Sequence, residues 1–159
     1  MATWQQVVAD APELAGAVEA RFRAHRHHTL ATLRRDGAPR ISGTEVVFAS
    51  GAVWVGSMPG ARKAHDLRRD PRYALHSHSE DVDDDDPGAW PGDAKLAGRA
   101  AEVDDPEVRG AVLGDHGAGD PHLFRLDVDE LVTTVVAPSG DHLAITLWTP
   151  AGLRRFSRR

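Results

Sequence analysis

The segment Val53-Trp54-Val55-Gly56-Ser57-Met58-Pro59-Gly60-Ala61-Arg62-Lys63-Ala64 passes from a strand-like run through a Gly/Pro turn into a helical run that opens on two cations. Cationic side chains in a first turn oppose the helix macrodipole, which favours negative charge there by about 0.3–1 kcal/mol. A bound anion reverses that sign. Free backbone N–H groups, the Ser57 hydroxyl and the Arg62 and Lys63 side chains together form a cradle for a phosphate. The competing arrangement pairs Arg62 and Lys63 with Asp66 at i+4 and i+3 on a solvated face. Residue types alone leave both open. Arginine outnumbers lysine 17 to 2, so Lys63 and Lys95 stand out.

A second polar group precedes this one. Side chains alternate across a strand, so Arg40, Ser42 and Thr44 share one face, either lining a ligand groove or facing water. Gly43 and Gly56, inside strand-like runs, mark bulges or the close approach of a flat ligand or another backbone.

Nine histidines raise the question of a metal. His76 and His78 stand at i and i+2 on one strand face, a chelating spacing, but no third ligand accompanies them and no metal site is assigned. His65, one turn into the short helix, offers a haem ligand as a minor alternative to an exposed histidine. The run Asp81-Val82-Asp83-Asp84-Asp85-Asp86 fails the EF-hand pattern, with Asp86 where Gly is needed and Gly92 where Glu is needed. Gly114-Asp115-His116-Gly117-Ala118-Gly119 has the wrong glycine order for a dinucleotide fingerprint. Ser57 follows Gly56 directly, so it forms no nucleophile elbow.

Composition narrows the classes further. The chain has 159 residues and a net charge of −5, enough for one domain with one core. Six of the seven residues 80–86 are acidic, and without them the chain is close to neutral. That balance argues against a general nucleic-acid binder. The absence of cysteine excludes a disulfide scaffold, a thiolate metal site and a cysteine nucleophile. No apolar run is long enough to span a membrane, and the first residues lack a signal-peptide pattern, so a cytoplasmic location is expected.

The elements that position these groups follow from turn and period signals. Thr3 caps a first helical turn bearing Trp4, Val7 and Val8, and Asp10 caps a second helix with Leu14, Val18 and Phe22 on one stripe. Residues 1–26 are thus helical and 27–150 form a barrel. Strands are expected at 29–34, 40–49, 52–57, 73–78, 94–103, 123–136 and 142–148, with Asp36-Gly37 and Ser50-Gly51 as hairpin turns. Short helices fall at 62–70 and 105–113, a mobile acidic loop at 80–93 and a further loop at 114–120. Arg154, Arg155, Arg158 and Arg159 read as a solvated, frayed tail. Six or seven strands with hairpin connections and small helices make a mainly β, antiparallel barrel.

The runs Gly37-Ala38-Pro39-Arg40, Val53-Trp54-Val55-Gly56-Ser57, Arg62-Lys63 and Asp66-Leu67-Arg68-Arg69-Asp70-Pro71-Arg72-Tyr73-Ala74-Leu75 resemble the pyridoxamine 5'-phosphate oxidase-like split β-barrel family over roughly residues 12–150. The resemblance implies a six- or seven-stranded split barrel that binds FMN or the deazaflavin F420. It places Ser57, Arg62 and Lys63 at the cofactor phosphate, Arg40, Ser42 and Thr44 along the flavin, and Met58, His76 and Ser77 as further cofactor contacts. It also implies a homodimer with cofactor at the subunit interface, where the partner's C-terminal segment with Trp148 closes the pocket. The expected activity is hydride transfer to or from a small molecule; a flavin or haem carrier or sensor without turnover is the alternative, and a barrel that has lost its cofactor a third. The family's Glu-aromatic-Trp and histidine-containing C-terminal signature is incomplete here. Leu147-Trp148-Thr149-Pro150 keeps the tryptophan and later arginines but not the Glu or His, which removes the support for vitamin B6 oxidation. No side chain is assigned to proton transfer.

Overall fold

The computed structural model describes residues 1–117 and 119–159. Leucines build its centre. Strands β1 (His28–Leu33), β5 (Arg72–His76), β6 (Asp93–Glu102), β7 (His122–Val136) and β8 (Leu143–Thr149) lie side by side and antiparallel. Their registers align Leu30, Leu75, Leu96, Leu131 and Trp148 in one lateral row. All five are buried, and each fully buried leucine contributes about 1.5–3 kcal/mol relative to exposure.

Two helices cover this row. In α1 (Trp4–Asp10), Thr3 and Gln6 form a reciprocal capping box, while Trp4 and Val7 turn inward. Val8 faces solvent instead of joining them. In α2 (Pro12–Ala24), Leu14, Val18 and Phe22 form the buried stripe that their spacing predicts, and Ala15 is buried with them. Asp10 does not cap this helix. It ends α1, and Ala11 is the N-cap, with Pro12 supplying a pre-set φ at the first position.

The remaining strands are β2 (Pro39–Thr44), β3 (Val47–Ala49), β4 (Ala52–Ser57) and β9 (Gly152–Arg158). The sheet order is β2-β1-β5-β6-β7-β4-β3, with β8 and β9 extending from β7. The count is nine strands, not six or seven, for two reasons. The single strand expected at 40–49 breaks at Glu45 and Val46, and its halves join opposite ends of the strand order. The expected frayed tail is β9, paired along its length to β8. Because β2 and β3 are joined by chain rather than by a ladder of hydrogen bonds, the sheet curls but does not close, leaving a seam.

β7 is the spine, pairing with β4, β6 and β8. Its register with β6 shifts at Ala97/Gly98. A Cβ at Gly98 would run into the Asp127 carbonyl, so the bulge requires glycine there. Two further helices, α3 (Arg62–Arg69) and α4 (Pro106–Leu113), flank the seam, and Asp105 caps α4 through the Glu107 and Val108 amides. In the region expected as loop at 114–120, a short 3-10 turn spans Gly114–Gly117; Ala118 lies outside the described residues. No helix among the described residues is long and apolar enough to cross a membrane.

Candidate functional site

The seam opens a cavity of about 450 Å³ between the ends of β2 and β4, the turn after β4, the start of α3 and the end of α4. Thr44, Ser57, Met58 and Lys63 line it together with Gly43 and Glu45. Four of the ten residues expected to touch a cofactor therefore meet in one place.

Ser57 ends β4 and is 7% exposed. Its Oγ is buried and has no hydrogen-bond partner. A buried polar group left unpaired costs about 1–3 kcal/mol, a cost that a hydrogen bond to a ligand would offset. Lys63 reaches from the first turn of α3 to donate to the Gly43 carbonyl at 2.7 Å, tying the helix to β2. Burial pushes the Lys63 ammonium below its ordinary pKa, and the nearby Glu45 carboxylate works against that shift. Glu45 is itself held by Arg26 at 2.9 Å, with His27 Nε2 3.8 Å away. Arg26 and Lys63 thus line the same cavity as the Glu45 carboxylate. Apolar side chains of α4, Val112 and Leu113, form the opposite wall.

Gly56 is a site of close approach, but to a side chain: a Cβ there would meet Leu113 Cδ2 at 2.9 Å. Met58 stands 79% exposed at the mouth. Thr44 is buried and donates to the Glu45 carbonyl at 3.3 Å.

The other expected contacts lie elsewhere. Arg40 points under α3, where its Nε donates to Asp66 Oδ2 at 2.6 Å, and Ser42 on the same strand face is outside the cavity lining. Asp66 also accepts from Thr32 at 3.0 Å and Arg69 at 3.1 Å. Neither Arg62 nor Lys63 pairs with it, so the competing solvated-face arrangement is not the one adopted. Arg62 is exposed and does not line the cavity. His76 lies on the outer face of the sheet, where its Nδ1 donates to the Ser77 carbonyl at 2.7 Å and its Nε2 sits 3.2 Å from Asp93. Ser77 is buried and its Oγ accepts from the Ala94 amide at 3.0 Å, a link between strands. Trp148 fills the core of its own chain.

The histidine pair separates as the strand ends. The His78 amide donates to His28 Nδ1 at 3.2 Å, and the His78 ring stacks on His25 with centroids 4.2 Å apart. Among the described residues no group of three His, Asp or Glu side chains is placed to hold a metal ion.

Sequence reasoning missed His122, Glu102 and Arg68, which join beside the cavity. His122 accepts from the Gly60 amide at 3.2 Å and meets Glu102 at 2.9 Å, and Arg68 grips Glu102 with two bonds of 2.6 and 2.7 Å. These residues sit at strand and helix ends, 20 and 34 positions apart, where no spacing rule connects them.

A curled antiparallel sheet, open along one seam, with helices over one buried face and a cavity of mixed polar and apolar lining at the seam, defines a split β-barrel. The family model for pyridoxamine 5'-phosphate oxidase matches residues 14–134, and the chain belongs to that family. No curated protein matches the sequence. Similar solved structures include General Stress Protein 26 from Bacillus anthracis (12% identity, 74% of this chain and 91% of that one, TM-score 0.59). A heme binding protein from Mycobacterium smegmatis matches at 18% identity over 89% and 87% of the two chains, with TM-score 0.55. PhzG from Burkholderia lata, in complex with tetrahydrophenazine-1-carboxylic acid, matches at 14% identity over 92% and 88%, with TM-score 0.58. At these identities the likeness establishes the fold.

Proposed function

We propose that this chain is a cytoplasmic, homodimeric FMN-binding oxidoreductase that holds the cofactor phosphate in the seam cavity and transfers hydride to or from a small molecule. The carrying observation is the buried Ser57 hydroxyl without a partner, in one cavity with Lys63, Arg26 and Glu45. A phosphate oxygen accepts from both side chains and satisfies the orphaned group. The flavin itself supplies hydride acceptance and donation, so the protein needs to anchor and orient it rather than provide an acid–base pair. In this reading Ser57 and Lys63 bind the phosphate, Lys63 also fixes β2 through Gly43, and Met58 shields the mouth.

Two further choices have physical support. F420 carries a polyglutamate tail that needs a basic groove, and a chain of net charge −5 with an acidic loop offers less to it than to FMN. For the dimer, the outer sheet face presents Ile41, Ala31, Ala74 and Ala97 in one lateral row across β2, β1, β5 and β6. Ile41 is 75% exposed there, and a second copy would cover this flat apolar strip.

Flavin titration of purified protein tests the reading. Lys63→Ala should weaken FMN binding by about 1.5–3 kcal/mol, the range for a hydrogen bond to a charged group, whereas Arg62→Ala should leave affinity nearly unchanged. Ser57→Ala should weaken FMN binding while keeping or raising the Tm of the ligand-free protein, because it removes an unsatisfied buried hydroxyl. Protein that takes up no FMN, or binds it equally well without Lys63, overturns the assignment. A Soret band with added haem would favour the carrier alternative instead.

A further inference from the structure

We propose that His122 is the positioning residue of the seam cavity: through the Gly60 amide it fixes the turn at 58–61 that directs Ser57 and Lys63 into one space. The inference deepens the flavin reading above and rests on it for its ligand.

His122 opens β7 directly opposite Ser57 of β4 in the strand register. The Gly60 N–H donates to its Nε2 at 3.2 Å. A nitrogen that accepts there carries a lone pair, so the ring proton of the neutral imidazole resides on Nδ1. Nδ1 faces Glu102 Oε1 at 2.9 Å, an arrangement that orients the ring as carboxylates orient working histidines elsewhere. Glu102 is held below the ordinary carboxylate range first by the Arg68 guanidinium, with burial opposing and His122 assisting. Arg68 belongs to the last turn of α3, the helix that the turn begins.

The network is therefore a ring. It runs from the turn to His122, on to Glu102 at the end of β6, then to Arg68, and back along α3 to the turn. Both ends of segment 58–69 are pinned to the ends of β6 and β7. The turn needs this support. Its internal backbone bond is Ala61 N–H to the Met58 carbonyl at 3.1 Å, Gly60 adopts φ +72°, and Ala61 as N-cap offers no side-chain bond. Met58, Pro59 and Ala61 all line the cavity, so a shift of the turn moves its wall.

Two substitutions separate positioning from mere packing. His122→Gln places an amide oxygen where Nε2 stood and keeps the acceptor for Gly60. His122→Asn keeps a donor toward Glu102 but does not reach Gly60. The first readout, in the ligand-free full chain, is hydrogen exchange of the Gly60 amide by NMR. The second is the ratio of FMN to riboflavin affinity, since riboflavin lacks the phosphate. His122→Asn should speed Gly60 exchange and reduce the FMN-to-riboflavin ratio, each about tenfold, as for one lost hydrogen bond. His122→Gln should stay within about threefold of the parent on both. Equal behaviour of the two variants, or an unchanged ratio in His122→Asn, overturns the proposal. If His122→Asn does not fold, His122→Leu, which fills the space without an acceptor for Gly60, takes its place with the same expected losses, and parent-like behaviour in it rejects the role. If the parent protein binds no flavin, the flavin reading fails, while Gly60 exchange still judges the hold of His122 on the turn.

Discussion

Asp66→Ala should lower the stability of the folded chain by about 3 kcal/mol, the lower end of the range for breaking a buried ion pair. Asp66 is 3% exposed and gathers Arg40, Thr32 and Arg69 beneath α3. Alanine leaves the largely buried Arg40 guanidinium without its counter-charge and the buried Thr32 hydroxyl without its acceptor. Arg69 is more exposed and can turn to water, which is why the lower end of the range applies. Urea unfolding at neutral pH measures the loss, and a change below about 1 kcal/mol, the size of a surface pair, would contradict it. The effect also has a pH signature. Burial pushes the Asp66 carboxyl up, but the bonds from Arg40, Arg69 and Thr32 together outweigh burial and hold it below the usual range. A carboxyl whose folded pKa is depressed stabilises fully above its unfolded value, near 3.9, and loses that contribution as pH falls through the folded value. Acid titration of stability should therefore be steeper below about pH 4 in the parent than in Asp66→Asn.

Trp148→Ala should cost about 3–5 kcal/mol. The ring is 2% exposed, opposite Leu131, and ends the row of leucines that α1 and α2 cover. Truncation removes a large apolar surface and leaves a cavity that the surrounding strands cannot refill. This outcome distinguishes two roles for the same residue. A tryptophan that closed a partner's pocket would, when removed, reduce cofactor affinity and spare the fold. Placement in the core reverses that order: thermal or urea unfolding changes most, and FMN affinity of the remaining folded fraction changes little. A variant that melts with the parent would return Trp148 to the pocket.

The parts of this architecture that local patterning encodes were legible in the sequence. The Thr3 cap, the Leu14/Val18/Phe22 stripe, the Asp36-Gly37 hairpin and the short helix before Asp70-Pro71 are all found where turn chemistry and periodicity place them. The meeting of Ser57 and Lys63 at one cavity was legible because both belong to one short strand-turn-helix segment. What stayed hidden depends on distant partners. Arg40 alternates with Ser42 and Thr44 exactly as groove-lining residues would, and only the fold reveals that Asp66, 26 residues later, claims it. The break at Glu45 and Val46 is invisible because both flanking runs favour strand. β9 was missed for a related reason: Gly152-Leu153-Arg154-Arg155-Phe156-Ser157-Arg158 shows no alternation, since both of its faces are largely exposed and pairing with β8 alone makes it a strand.

That exposed last strand has a consequence for the protein in solution. β9 pairs on one side only, so its other side displays amide and carbonyl groups in extended register, a template on which a foreign strand could grow. Arg154, Arg155 and Arg158 sit along it, with Arg159 just beyond. Any like-charged border that approached would meet a fence of guanidinium groups. The positive charge along β9 thus guards an open strand edge against pairing with another like it.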